Sequence, residues 1–146
     1  MNVTEMKSTL MKTRLIQSAF IASILLFVRV AESGRGRGNN DWTLWHWVMT
    51  GLAVYATLVG FSFRRKLLRR SEEALAKDAS NPRALKQWQA GQFLGFAFAE
   101  NIAIWGVLVR MVLGGALWQA SLFYGAALFL LLLWTPRMPI TTPAST

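Results

Sequence analysis

A single acidic side chain stands inside a long apolar run: Glu100, in the stretch FAFAENIAIWG at residues 96–106. A carboxyl group among aliphatic and aromatic neighbours can serve as a hydrogen-bond acceptor between helices, or as a reversible site for a proton or cation. Asn101 adjoins it, and Arg110 follows ten residues later. Arg29, in LLFVRV at 25–30, repeats the placement of Arg110 in GVLVRM at 106–111, with an arginine closing an apolar run. At the midpoint of a bilayer span a charge costs ~2.5–3.5 kcal/mol on insertion scales. The cost falls if the acid is protonated, if a cation pairs with it, or if a neighbouring helix supplies donors. Ten helical residues put Arg110 about 15 Å along the axis, too far for direct pairing with Glu100. Ser23, Thr50, Tyr55, Thr57, Ser121 and Tyr124 are the candidate donors from other segments. Helical spacing places Phe96, Ala97, Ala103, Ile104 and Val107 around Glu100, and the alanines let another helix approach closely. Both arginines fall near helix ends, where long side chains reach the membrane surface, and Glu32 is spaced to pair with Arg29.

Other chemistry finds little support. The chain has no cysteine, which removes disulfides, thiol catalysis and cysteine metal sites. A single histidine, His46, excludes multi-histidine metal sites within one chain. In LWHWV it reads as a hydrogen-bonding residue of an aromatic belt. GRGRG at 34–38 lacks the preceding strand and following helix of a phosphate loop, and reads as a flexible external turn. Neither a Ser/His/Asp set nor carboxylates paired at catalytic spacing are found, so an enzyme acting alone, a metal centre or a cofactor is not expected.

The elements that hold these residues are long and apolar. Hydrophobic residues make up 53% of the 146, and the mean hydropathy is +0.33. Four runs approach the ~20 residues needed to cross a bilayer: about 15–31, 44–63, 90–113 and 116–134. They are continuous rather than alternating, which argues against strands, and the second and fourth lack the polar face a soluble bundle requires. Trp42, Trp45 and Trp47 mark one end of the second run, and Arg64, Arg65 and Lys66 the other. Trp134 is expected at the membrane surface. Residues 1–14 form a basic N-terminal segment, and 135–146 a Pro/Thr-rich tail expected to be disordered.

Orientation follows from the formal charge of +9 and where it sits. Arg64, Arg65, Lys66, Arg69, Arg70, Lys77, Arg83 and Lys86 crowd the central connector, and Lys7, Lys12 and Arg14 the N-terminus, whereas the first loop has only Arg35 and Arg37. The positive-inside rule then puts both termini and the connector in the cytoplasm of a bacterial-type inner membrane. Lys7, Lys12 and Arg14 before a short apolar run also describe a cleavable signal ending near Ala31–Ser33, although Arg29 falls in the cleavage region. The connector itself reads as helix, break, helix. Helix formers run to about Ala79, Glu73 and Lys77 are spaced for pairing, Asn81 suits an N-cap, and Pro82 the first helical position. The third helix is expected to run to Gly114-Gly115. Leu67, Leu68 and Leu75 are placed to pack on Leu85 and Trp88, giving an all-α fold of four transmembrane helices with a long cytoplasmic helical hairpin between the second and third. Arg64, Arg65, Lys66, Arg69 and Arg70 are the candidates for docking anionic lipid or an acidic protein partner. Nucleic acid is not an expected partner, because the charge flanks a membrane span and not a folded groove.

Glu100, Ile104, Trp105, Gly106, Val107 and Leu108 form the pattern E-x-x-x-I-aromatic-G followed by aliphatics, and Pro82 stands eighteen residues before the carboxylate. Residues 82–113 thereby resemble the ion-binding helix of the F-type ATP synthase proteolipid subunit c. The resemblance implies a reversible proton or cation site at Glu100; Asn101, Arg110 and Arg29, from the residues themselves, are the candidate supporting polar groups. The chain differs in carrying only Gly51 and Gly60 in the preceding span, where that family has a dense glycine pattern. Two functions follow as expectations. One is a small non-enzymatic membrane protein, an accessory or structural subunit of a larger complex or a homo-oligomer. The other is proton or cation translocation through Glu100.

Overall fold

The computed structural model describes residues 3–33, 38, 41–78 and 81–137. They form four helices: α1 (Val3–Glu32), α2 (Leu44–Lys77), α3 (Pro82–Met111) and α4 (Leu117–Leu133). Residues 138–146 of the tail expected at 135–146, most of the GRGRG turn and the α2 end expected at Ala79 lie outside the described residues. α1, α2 and α3 are each long and apolar enough to cross a membrane; α4 is apolar and shorter, at 17 residues.

Local chemistry explains the boundaries. Asn81 accepts the backbone N–H groups of Arg83 at 3.0 Å and Ala84 at 3.2 Å, satisfying two of the donors a helix start leaves open. α3 ends at Met111, three residues short of the glycine pair. Gly114 then takes a φ of +65°, which glycine adopts without strain, and the turn returns the Gly115 N–H to the Val109 carbonyl at 3.0 Å. At the start of α2, His46 is buried and its Nδ1 accepts the Thr43 backbone N–H at 3.2 Å. The histidine expected as a hydrogen-bonding belt residue makes its bond to Thr43, at the start of its own helix.

α3 is the hub. It packs against α1, α2 and α4, and α1 also touches α4. α1 runs parallel to α3, as the Ser23–Glu100 and Glu32–Arg110 pairings show. α2 and α4 run the opposite way, so the bundle has an Arg110 end and an Arg64 end. The main core comprises Ile24 from α1, Phe96, Ala99, Ile102, Ala103 and Val109 from α3, and Ala120, Phe123, Tyr124, Ala127 and Leu131 from α4. A second cluster of Leu68, Leu75, Ala84 and Trp88 closes the α2–α3 hairpin, with Leu10 and Leu85 against it. The hairpin packing read from the leucine spacing is thus present for Leu68, Leu75, Leu85 and Trp88, without Leu67 in the cluster, and α1 reaches it through Leu10. The expected Glu73–Lys77 pair is not formed: Glu73 pairs instead with Arg69 at 2.9 Å on the exposed side of α2.

Large apolar side chains face outward on all four helices, most of them on α1, α2 and α4. Leu44, Trp45, Trp47, Tyr55 and Leu58 of α2 are each more than 60% exposed. Leu15 and Leu26 on α1, and Phe129 and Leu132 on α4, are exposed to a similar degree. A surface apolar over this area is one that an oily phase or a partner covers.

Candidate functional site

Glu100 lies on α3 at the boundary between core and surface. Its Oε1 accepts the Ser23 hydroxyl of α1 at 2.5 Å. Of the candidate donors, Ser23 is the one that reaches it. Thr50, Thr57 and Ser121 turn back onto carbonyls of their own helices, at His46, Ala53 and Trp118. Tyr55 is exposed, and the buried Tyr124 hydroxyl has no hydrogen-bond partner. The face expected around Glu100 is divided: Phe96 and Ala103 are fully buried, whereas Ile104 is 41% exposed and Ala97 half-buried. One turn away the same α1–α3 contact is held by Phe20, whose ring meets Phe93 edge-on at 5.5 Å and Phe96 at 5.9 Å.

Arg110 is not a supporting group for Glu100. It is only 4% exposed, and its guanidinium grips Glu32 at the end of α1. Nε donates to both carboxylate oxygens at 2.9 and 3.0 Å, Nη2 lies 2.8 Å from Oε2, and Nη1 donates to the Gly115 carbonyl at 2.8 Å. A fork of this kind suits arginine and not lysine. Gly38, from the expected external turn, completes the enclosure: a β-carbon there would come within 2.7 Å of Arg110 Nη1. The pairing expected between Glu32 and Arg29 is replaced by this cross-helix pair, because Glu32 turns inward while Arg29 stays exposed. Arg110 likewise does not extend to the surface.

At the other end, Arg64 also turns inward. Nη2 donates to Gln92 Oε1 at 3.1 Å, and the guanidinium carbon lies 4.8 Å from the centre of the Trp134 ring. The side chain crosses α3 at Gly95, where a β-carbon would sit 2.7 Å from Arg64 Cδ and Nε. Trp134, expected at a membrane surface, is 4% exposed beneath this arginine and stacks on Phe61 at 6.5 Å. Arg64 thus differs from the other four docking candidates, Arg65, Lys66, Arg69 and Arg70. These are exposed and line an open groove of about 500 Å³ with Ser62 and Glu73.

Two polar residues missed as contributors also make buried hydrogen bonds, Gln17 between helices and Gln119 within the start of its own helix. Gln17, which reads in the sequence as a flaw in an apolar run, is 7% exposed and donates to the Leu131 carbonyl of α4 at 2.5 Å. Gln119 is fully buried and accepts the Ala116 N–H at 2.7 Å. The signal for both was the same as for Glu100: a polar side chain interrupting an apolar segment. Among the described residues no three His, Cys, Asp or Glu side chains converge as metal ligands.

Two openings run between the helices. One, of about 320 Å³, lies between α2 and α4, with Ile102 of α3 among its lining residues. It is bridged near one end by Trp42 against Trp118 and near the other by Phe61 against Trp134. The other, of about 560 Å³, lies between α1 and α3 on the Arg64 side of Glu100. No family model, curated protein or solved structure matches the chain.

Proposed function

We propose that this is an integral membrane protein that crosses the bilayer four times and acts as a non-enzymatic accessory or structural subunit within a larger membrane assembly. The observation that carries the reading is the fate of the polar groups in the apolar helices. Gln17, Ser23, Glu32, Glu100 and Arg110 join one helix to another or to a turn, while bulky apolar side chains point outward. In hydrocarbon, where apolar contact gives no preference for protein over lipid, such polar joints hold a bundle together. α4, at 17 residues, is at the lower limit for a span, and its antiparallel packing on α3 favours a fourth crossing. The three joints made by α1 favour its retention as a span over a cleaved signal. The Arg64 end, carrying the basic connector, is placed in the cytoplasm with both termini, in a bacterial-type inner membrane.

The test of the assembly reading is purification of the tagged protein in mild detergent followed by native mass spectrometry. Stoichiometric larger partners are expected; a chain that always runs alone counts against an accessory role. Topology is testable without background labelling because the chain has no cysteine. Ser33→Cys should react with an impermeant maleimide from outside, and Lys77→Cys only after lysis.

A second reading is favoured by one feature of Glu100. The residue is half-buried and, among the described residues, its Oε2 takes no hydrogen bond, so one oxygen remains for a proton or cation. Translocation by analogy with subunit c predicts that a hydrophobic carbodiimide modifies Glu100 and that Glu100→Gln abolishes a membrane flux. Absence of both removes this reading and leaves the first intact.

A further inference from the structure

We propose that the cleft between α1 and α3 binds one anionic phospholipid of the cytoplasmic leaflet, an inference that rests on the membrane reading above. The cleft is lined by Lys12, Thr13 and Gln89 at one end and by Ile16, Phe93, Leu94, Phe96 and Ala97 along its length. The first three lie toward the Arg64 end, where the chain is basic; the rest are apolar. Lys86 is exposed on α3, one turn before Ala90 and two before Phe93, so helical spacing puts it on the α3 face that forms the cleft. The opening is thus a cationic mouth leading into an apolar slot, the complement of a phosphate headgroup on an acyl chain.

Depth agrees with this occupant. The last lining residue of α3, Ala97, lies one turn before Glu100, and the Ser23–Glu100 bond closes the helix pair beyond it. Lys12 to Ser23 is eleven residues, which at 1.5 Å per residue is about 16 Å. That matches one leaflet of a hydrocarbon core ~30 Å thick. The α2–α4 opening and the basic groove on α2 each lack one half of the arrangement. The α2–α4 groove is apolar with no charged residue among its lining. The Arg65/Lys66/Arg69/Arg70 groove is charged but offers no apolar slot, and Glu73 partly neutralises it.

The test uses the full-length chain in mild detergent with added phosphatidylglycerol or phosphatidylcholine, and native mass spectrometry counts the lipids retained. One phosphatidylglycerol should be held in preference to phosphatidylcholine. Lys12→Gln and Lys86→Gln should each weaken that preference about fivefold, the equivalent of ~1 kcal/mol per cation near a membrane surface. Ala97→Phe, which fills the slot, should weaken retention of both lipids. Neutralising Arg65, Lys66, Arg69 and Arg70 together should leave the first bound lipid in place. The proposal is overturned if the lysine variants keep the preference, if the quadruple variant alone abolishes it, or if the cleft variants instead dissolve a dimer that binds no lipid. Alkaline carbonate extraction separates this failure from failure of the membrane reading: a chain that stays with the membrane pellet but shows no lipid preference loses only the lipid site.

Discussion

The Arg110–Glu32 pair is the joint whose removal should be felt most. Arg110 is 4% exposed and the Glu32 side chain 24%, so the carboxylate is screened on one side and the guanidinium hardly at all. Removing one partner of a buried pair costs about 3–5 kcal/mol, because the other charge stays behind without compensation. Here the Gly115 carbonyl still accepts from Nη1, and Glu32 keeps some solvent contact. Glu32→Ala is therefore expected at the lower edge, about 3 kcal/mol, and Arg110→Ala at a similar value. The double replacement Glu32→Leu/Arg110→Leu should cost clearly less than the sum, since two apolar groups replace a matched pair. Arg29→Ala should change stability by less than about 0.5 kcal/mol, as expected for an exposed side chain away from any packing feature. The measurement is reversible unfolding in mixed micelles followed by circular dichroism, with the four variants compared at one detergent composition. Strictly additive single costs would show that the two residues are not energetically paired. A large loss in Arg29→Ala alongside a small one in Arg110→Ala would restore the pairing that sequence spacing suggests.

Three further outcomes follow from individual contacts. Arg64→Ala removes the Gln92 bond and the Trp134 ring contact and should destabilise by about 1–3 kcal/mol, whereas Arg69→Ala, which loses an exposed pair, should cost at most ~1 kcal/mol; the same unfolding assay reads both. Gly95→Ala should cost about 1–3 kcal/mol because its β-carbon meets Arg64, while Gly51→Ala, where no atom lies within 4 Å, should be neutral or stabilising by up to ~1 kcal/mol. Ser23→Ala deprives Glu100 of its donor and should cost about 1–3 kcal/mol; if Glu100→Gln in that background restores nothing and Ser23→Ala alone is silent, the α1–α3 bond contributes no stability.

Much of the helical frame was legible because it depends on local chemistry. Asn81-Pro82 announces a helix start through one side-chain acceptor and one missing donor, and the structure places both as expected. The leucines at 68 and 75 announce a packed hairpin by spacing alone. What spacing could not supply is the rotation and register of one helix against another. Glu32 is equally well placed in sequence for Arg29, yet α1 lies beside α3 so that Glu32 faces Arg110. Arg64 looks like the first of five equivalent cations, yet it is the one opposite Gly95, where the missing side chain leaves room for it to lie across α3. The neighbours of His46 announce a hydrogen-bonding belt residue, and its position three residues past Thr43 supplies the partner, the start of its own helix.

Glu100 remains the residue on which the functional readings meet, and the neighbouring joints sharpen what it contributes. If a polar bridge between helices were the whole requirement, a neutral amide would suffice: Gln17 joins α1 to α4 with one. A carboxyl group at 100 instead presents two oxygens, one taken by Ser23 and the other uncommitted at the edge of the bundle, beside the half-buried Asn101 and the exposed Ile104. In an apolar phase an uncommitted acceptor is unfavourable unless something answers it. A donor from a partner helix answers it permanently, and a proton or cation answers it reversibly. The accessory-subunit and translocation readings therefore concern the same oxygen, and they differ in how long its occupant stays.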